Sequence, residues 1–147
     1  MSSNTTLNIE RTFQAPAQAV FDAFTSPEVM RRWWHVERDW ATAVAEVDLR
    51  LGGAVRVVMR NPADGAEYGG GGVYTEIDPP HRVAFTWLWD DNDARQLIEI
   101  DFEETAGATR VRFTHRGLWS EEAVRSHDMG WSASFDLLDE ALAEITR

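Results

Sequence analysis

The chain carries four histidines, His35, His81, His115 and His127, and no cysteine. Imidazole titrates near neutral pH, so these four are the natural acid–base candidates. His115 closes an alternating run with Val111 and Phe113. There it would orient a ligand, act as acid or base, or simply be a hydrogen-bonded histidine at a strand end. His35 follows a tryptophan pair, His127 precedes Trp131 by about one helical turn, and His81 sits in a turn. No HxH or HExxH spacing occurs, and without cysteine there is no thiolate chemistry, disulfide or Cys-based zinc site. No GxSxG nucleophile context is present.

Carboxylates cluster at Asp90, Asp91 and Asp93, in a polar loop, and at Glu103 and Glu104, at a strand end. Solvated surface is the expected role of both groups. A calcium loop would need a glycine and a terminal glutamate that this loop lacks. Four consecutive glycines, Gly69–Gly72, raise the question of a phosphate cradle. Such a loop opens a helix and is usually followed by Lys-Ser/Thr. Here the run leads into Val73, Tyr74, Thr75 and Ile77, which favour a strand. Glycines inside a strand mark a bulge, a bend or close approach by another backbone, and this run is read as a kink that lets the sheet curve. No catalytic residue, metal ligand or cofactor is assigned, and the reading leans away from an enzyme.

What the chain has in excess is aromatic surface: seven Trp and seven Phe in 147 residues. Large rings fill cores and line apolar pockets. The elements that must hold them follow from periodicity. Residues 7–13 alternate as a strand. Pro16 suits a first helical turn, and Ala17, Val20, Phe21 and Phe24 form one apolar stripe. Ser26-Pro27 opens a second short helix running to about Trp33. Strands are then expected at 42–50, 54–60, 72–78, 82–89, 96–103 and 109–115. Short turns between them dictate antiparallel pairing. Val55, Val57 and Met59 share a face, as do Phe85, Trp87 and Trp89. Ser120 caps a long final helix whose stripe is Trp131, Phe135, Leu138, Leu142 and Ile145, with Gly130 marking a notch or a close approach.

The outcome is an α+β fold in a single domain, residues 1–147: a curved antiparallel sheet of six to seven strands wrapped around a long C-terminal helix, with two short helices after strand 1. A net charge of −11 disfavours nucleic acid and anionic membrane surfaces. The N-terminus has no basic or apolar leader character, and no apolar run reaches the roughly 20 residues of a membrane helix. A cytoplasmic protein is the expectation.

Four segments carry a family resemblance: VFDAFTSPEVMRRWW (20–34), DLRLGGAVRVVMRNPADG (48–65), GGVYTEIDPPHRVAFTW (71–87) and GWSASFDLLDEAL (130–142). Together they resemble the family of activator-of-heat-shock-protein-90-ATPase homologues, within the START-like (SRPBCC) superfamily. Its helix-grip fold is that of the birch pollen allergen. The resemblance spans about residues 8–145 and implies a deep apolar cavity between sheet and helix, used across the superfamily for hydrophobic molecules. It departs from the family at Trp33-Trp34-His35-Val36, where Trp-Trp-Gly-Pro is common. Chaperone-activating members carry a further N-terminal domain, whereas this chain starts directly at its first strand. The expected function is binding of a small hydrophobic ligand (lipid, sterol or aromatic polyketide-like). A polyketide cyclase or dehydratase and a chaperone ATPase-activating co-factor of stress response are the alternatives. The expected ligand-binding residues are Phe24, Trp33, Trp34, Met59, Phe85, Trp87, Phe113, His115, Trp131 and Phe135.

Overall fold

Seven alternating segments become seven strands of one antiparallel sheet in the computed structural model, which describes residues 5–146. The chain runs β1 (Leu7–Phe13), α1 (Ala17–Thr25), α2 (Pro27–Met30), β2 (Ala41–Val47), β3 (Ala54–Arg60), β4 (Glu67–Asp78), β5 (Arg82–Trp89), β6 (Gln96–Thr105), β7 (Ala108–Arg116) and α3 (Glu121–Ile145). The sheet order is β1-β7-β6-β5-β4-β3-β2. Strands β2 to β7 form a meander, and β1 closes on β7. The chain leaving β1 must therefore cross to the opposite edge, and α1 and α2 make that crossing. Among the described residues no helix is long and apolar enough to cross a membrane.

The glycine run lies wholly inside β4, which starts at Glu67 rather than at Gly72. Pairing with β3 is regular from Ala54↔Val73 to Arg60↔Glu67. The irregularity in β4 falls later, between Tyr74 and Glu76 against β5. The glycines are thus regular ladder positions that have no room for a side chain. A Cβ on Gly70 would stand 2.8 Å from the Trp87 indole. On Gly71 it would stand 2.4 Å from the Val55 carbonyl oxygen, and on Gly72 it would stand 2.0 Å from that of Thr86. Close approach, not a bulge, explains the run.

Two further boundaries, the ends of β2 and α2, differ from the sequence expectation, and so does one residue of the α3 stripe. β2 ends at Val47, because Asp48–Gly53 folds into a turn closed by Arg50 N–H to Asp48 O and Gly53 N–H to Arg50 O. α2 stops at Met30; the Trp33 and Trp34 amides both turn back onto the Met30 carbonyl, at 3.2 and 2.9 Å. Ile145 ends α3 with 43% exposure, off the buried stripe of Trp131, Phe135, Leu138 and Leu142. The Ser120 cap is present, its hydroxyl accepting from the Ala123 N–H at 3.0 Å.

The stripe of α3 meets the concave sheet face through aromatic packing. Phe24 touches Trp33, Phe102 and Phe135 at ring separations of 4.9, 5.7 and 6.0 Å. Phe113 meets Trp131 at 4.6 Å and Phe135 at 5.3 Å. Edge-to-face pairs, which all of these are except the tilted Phe113–Trp131 pair, add about 0.5–1.5 kcal/mol each beyond their buried area. Outside this core, Arg11–Asp136, Arg32–Glu144 and Arg38–Glu140 tie the solvent side of α3 to β1 and to the chain around α2.

Candidate functional site

A turn holds the tryptophan pair in place. His35 Nδ1–H donates to the Thr42 hydroxyl, which donates to the Trp34 carbonyl, both at 2.9 Å. The Ser134 hydroxyl donates to the His35 carbonyl at 2.7 Å. β2 and α3 thereby clamp the turn between them. Trp33 points inward and donates its indole N–H to the Ala23 carbonyl at 2.9 Å. Trp34 points along the sheet, stacked on Trp87 at 6.0 Å and edge-on to Trp131 at 5.3 Å.

Beyond Trp34 the packing stops. A cavity of about 390 Å³ opens at the end of the sheet–helix layer where β3, β4 and β5 face the first half of α3. Trp34, Trp40, Trp89, Trp119 and Trp131 line it, which is five of the seven tryptophans in the chain. Met59, Tyr68 and Val36 add apolar wall. Trp40 and Tyr68 stack nearly parallel at 5.6 Å. Tyr68 and Trp119 are 44% and 48% exposed, so this part of the wall reaches solvent. Gly130 forms part of the wall, and a Cβ there would press on Val36 at 3.3 Å. This is the notch that a mid-helix glycine marks. The volume falls within the roughly 300–1,000 Å³ of small-molecule sites.

Two histidines stand at the inner wall, and both are neutral by construction. His127 Nδ1–H donates to the Ala123 carbonyl at 2.7 Å, which leaves Nε2 to accept from the Trp89 indole N–H at 3.1 Å. Behind it, His115 Nδ1 accepts from the Trp131 indole N–H at 3.1 Å, and Nε2–H donates to the Gln96 side-chain oxygen at 2.6 Å. Burial, followed by repulsion from His127, lowers the His115 pKa to about 3. Burial also lowers those of His127 and His35. Each imidazole fixes the indole it accepts from. Their visible work is to orient Trp89 and Trp131.

The structure divides the residues expected to bind ligand. Trp34, Met59 and Trp131 line the cavity together. Phe24, Trp33, Phe85, Trp87, Phe113 and Phe135 are at most 1% exposed apart from the cavity wall and form the packed core behind it. His115 is fully buried in that core and reaches the cavity wall through Trp131 and His127. The deep hollow implied by the resemblance is therefore filled with rings along most of its length and open at one end. Sequence reasoning left out Trp40, Tyr68, Trp89, Trp119 and His127. Trp89 carried a usable signal, its place in the alternation with Phe85 and Trp87. Trp40 and Trp119 lie in loops, where no periodicity exists to reveal a direction.

The loop and strand-end carboxylates are also more engaged than expected. Asp90 forms a two-pronged pair with Arg56, both contacts at 2.8 Å, and those hydrogen bonds hold its carboxyl below the usual range. Glu104 accepts the Ala17 N–H at 2.7 Å, capping α1. Among the described residues no group of three or more His, Asp or Glu stands together as a metal site.

A curved seven-stranded sheet gripping one long helix, with two short helices after the first strand, is the helix-grip arrangement of START-like proteins. The chain matches the family model described as activator of Hsp90 ATPase homolog 1-like protein over residues 14–143, and it belongs to that family. It is similar to the AHSA1 protein from Silicibacter pomeroyi at 31% identity, covering 94% of this chain and 97% of that one, with a TM-score of 0.82. A Mycobacterium smegmatis protein matches at 26% identity, over 98% and 91% of the two chains, with a TM-score of 0.79. A Chromobacterium violaceum protein superposes with a TM-score of 0.87 over 94% and 96%; at 24% identity that likeness speaks for the fold alone. No match emerges among the curated proteins.

Proposed function

We propose that this protein binds a small hydrophobic molecule in the cavity between the sheet and α3. The single observation that carries the reading is the gathering of five tryptophans around one opening of about 390 Å³ in a chain whose other rings are packed away. Exposed apolar surface of this kind marks binding sites. Trp34, Met59 and Trp131 contact the ligand, joined by Trp40, Tyr68, Trp89 and Trp119. The remaining expected residues, Phe24, Trp33, Phe85, Trp87, Phe113, His115 and Phe135, hold the wall from behind. The ligand class is a lipid, a sterol or an aromatic polyketide-like molecule, met by the protein in the cytoplasm.

Tryptophan emission titrated with such a panel tests the proposal. Saturable quenching is expected in the wild type, and it is lost in Gly130→Leu, which fills the notch. A flat response to every class in the folded wild type would overturn it. The cyclase and chaperone readings have no comparable support: His115, the candidate acid or base of the cyclase reading, is fully buried with both ring nitrogens committed to Trp131 and Gln96, and no observation marks a chaperone-docking surface.

A further inference from the structure

We propose that the ligand is an organic cation, an ammonium or similarly charged head on an apolar body. The inference rests on the binding reading above and narrows it to a chemical class. Aromatic rings present negative faces, and indole attracts a cation most strongly. Five indoles and one phenol surround this opening. A mere apolar pocket would be served as well by Leu, Ile or Phe. Among its lining residues there is no arginine, although the chain has fourteen, and the only histidine is held neutral.

The charged groups at the opening all carry the same sign. Glu67, Asp90 and Asp91 line it. Arg60 holds Glu67 at 2.7 Å and Arg56 holds Asp90, both arginines lying outside the lining. Asp91 makes no ion pair with any described residue, which leaves one uncompensated negative charge at the mouth. The positive end of the α3 dipole lies nearby, but Glu121 and Glu122 occupy its first turn and offset it. The whole chain, at −11, adds a field that draws cations and repels anions.

Three probes of one shape separate the possibilities: benzyltrimethylammonium, its uncharged carbon isostere neopentylbenzene, and the anion benzylsulfonate. Calorimetric or fluorescence titration is expected to show the cation bound about tenfold more tightly than the isostere, with the anion weakest. Asp91→Asn and Trp119→Leu, both at exposed positions that leave the core untouched, are expected to weaken the cation several-fold. Asp91→Asn leaves the isostere unchanged. If the isostere binds as well as the cation, the charge assignment fails while the hydrophobic-ligand reading survives. If none of the three binds at millimolar concentration and the hydrophobic panel is also silent, both fall.

Discussion

His115 is a base that its surroundings keep from acting as one. In the unfolded chain it takes up a proton near its ordinary 6.5; in the fold, burial and His127 hold that event down to about 3. Between those values the unfolded state binds more protons, so the associated stability is complete above about pH 6.5 and declines as pH falls toward 3. Urea midpoints measured from about pH 7.5 to pH 5 should fall in the wild type. His115→Gln should flatten the slope by up to about 1.4 kcal/mol per pH unit. Identical slopes in the two proteins would show that the imidazole does not titrate in this way. Trp131→Phe removes the N–H that His115 Nδ1 accepts and is expected to cost about 1–3 kcal/mol. That cost, read from urea unfolding, should largely vanish in the double variant Trp131→Phe/His115→Leu relative to His115→Leu alone. An undiminished cost would assign it to ring packing.

At the scale of the element, β4 is the least ordinary strand, and its glycines are set by neighbours rather than by turn geometry. Gly70→Ala drives a methyl into the buried Trp87 ring, and Gly72→Ala drives one into the Thr86 backbone. A packed ring yields slightly and a paired backbone does not. The expected losses are about 1–2 kcal/mol for Gly70→Ala and about 3 kcal/mol for Gly72→Ala, read from urea unfolding. Gly130 in α3 behaves in the opposite sense. Gly130→Ala gains up to about 1 kcal/mol of helix propensity, reduced by the displacement of Val36, and narrows the cavity. Thermal melts should rise slightly while ligand affinity falls. The elements were legible because period-two and period-3.6 patterns survive in a half-buried layer, as in Val83–Trp89 and Trp131–Leu142. The glycine strand was half legible: the run announces an unusual backbone and reads as a kink, and only the positions of Trp87, Val55 and Thr86 reveal close approach as its cause. The site was less legible still. Alternation says that Phe85, Phe113 and Trp131 all face inward, and it cannot say which inward rings another ring will cover.

At the scale of the molecule, the layer is sealed along most of its length and open at one end. Sealing comes from the rings of α1, the Trp33 turn and the middle of α3 meeting the sheet face. Opening comes at the notch of Gly130, which lines the cavity beside Val36. The family to which the chain belongs defines the frame, and five of the tryptophans line its open end. The indole N–H resonances of the seven tryptophans report on that division directly. On adding a bound ligand from the panel of lipids, sterols, aromatic polyketides and benzyltrimethylammonium, two-dimensional ¹H–¹⁵N spectra should show Trp34, Trp40, Trp89, Trp119 and Trp131 shifting with saturation. Trp33 and Trp87, packed behind the wall, should stay nearly still. Silence at all seven with every compound, or the largest shifts at Trp33 and Trp87, would contradict the account.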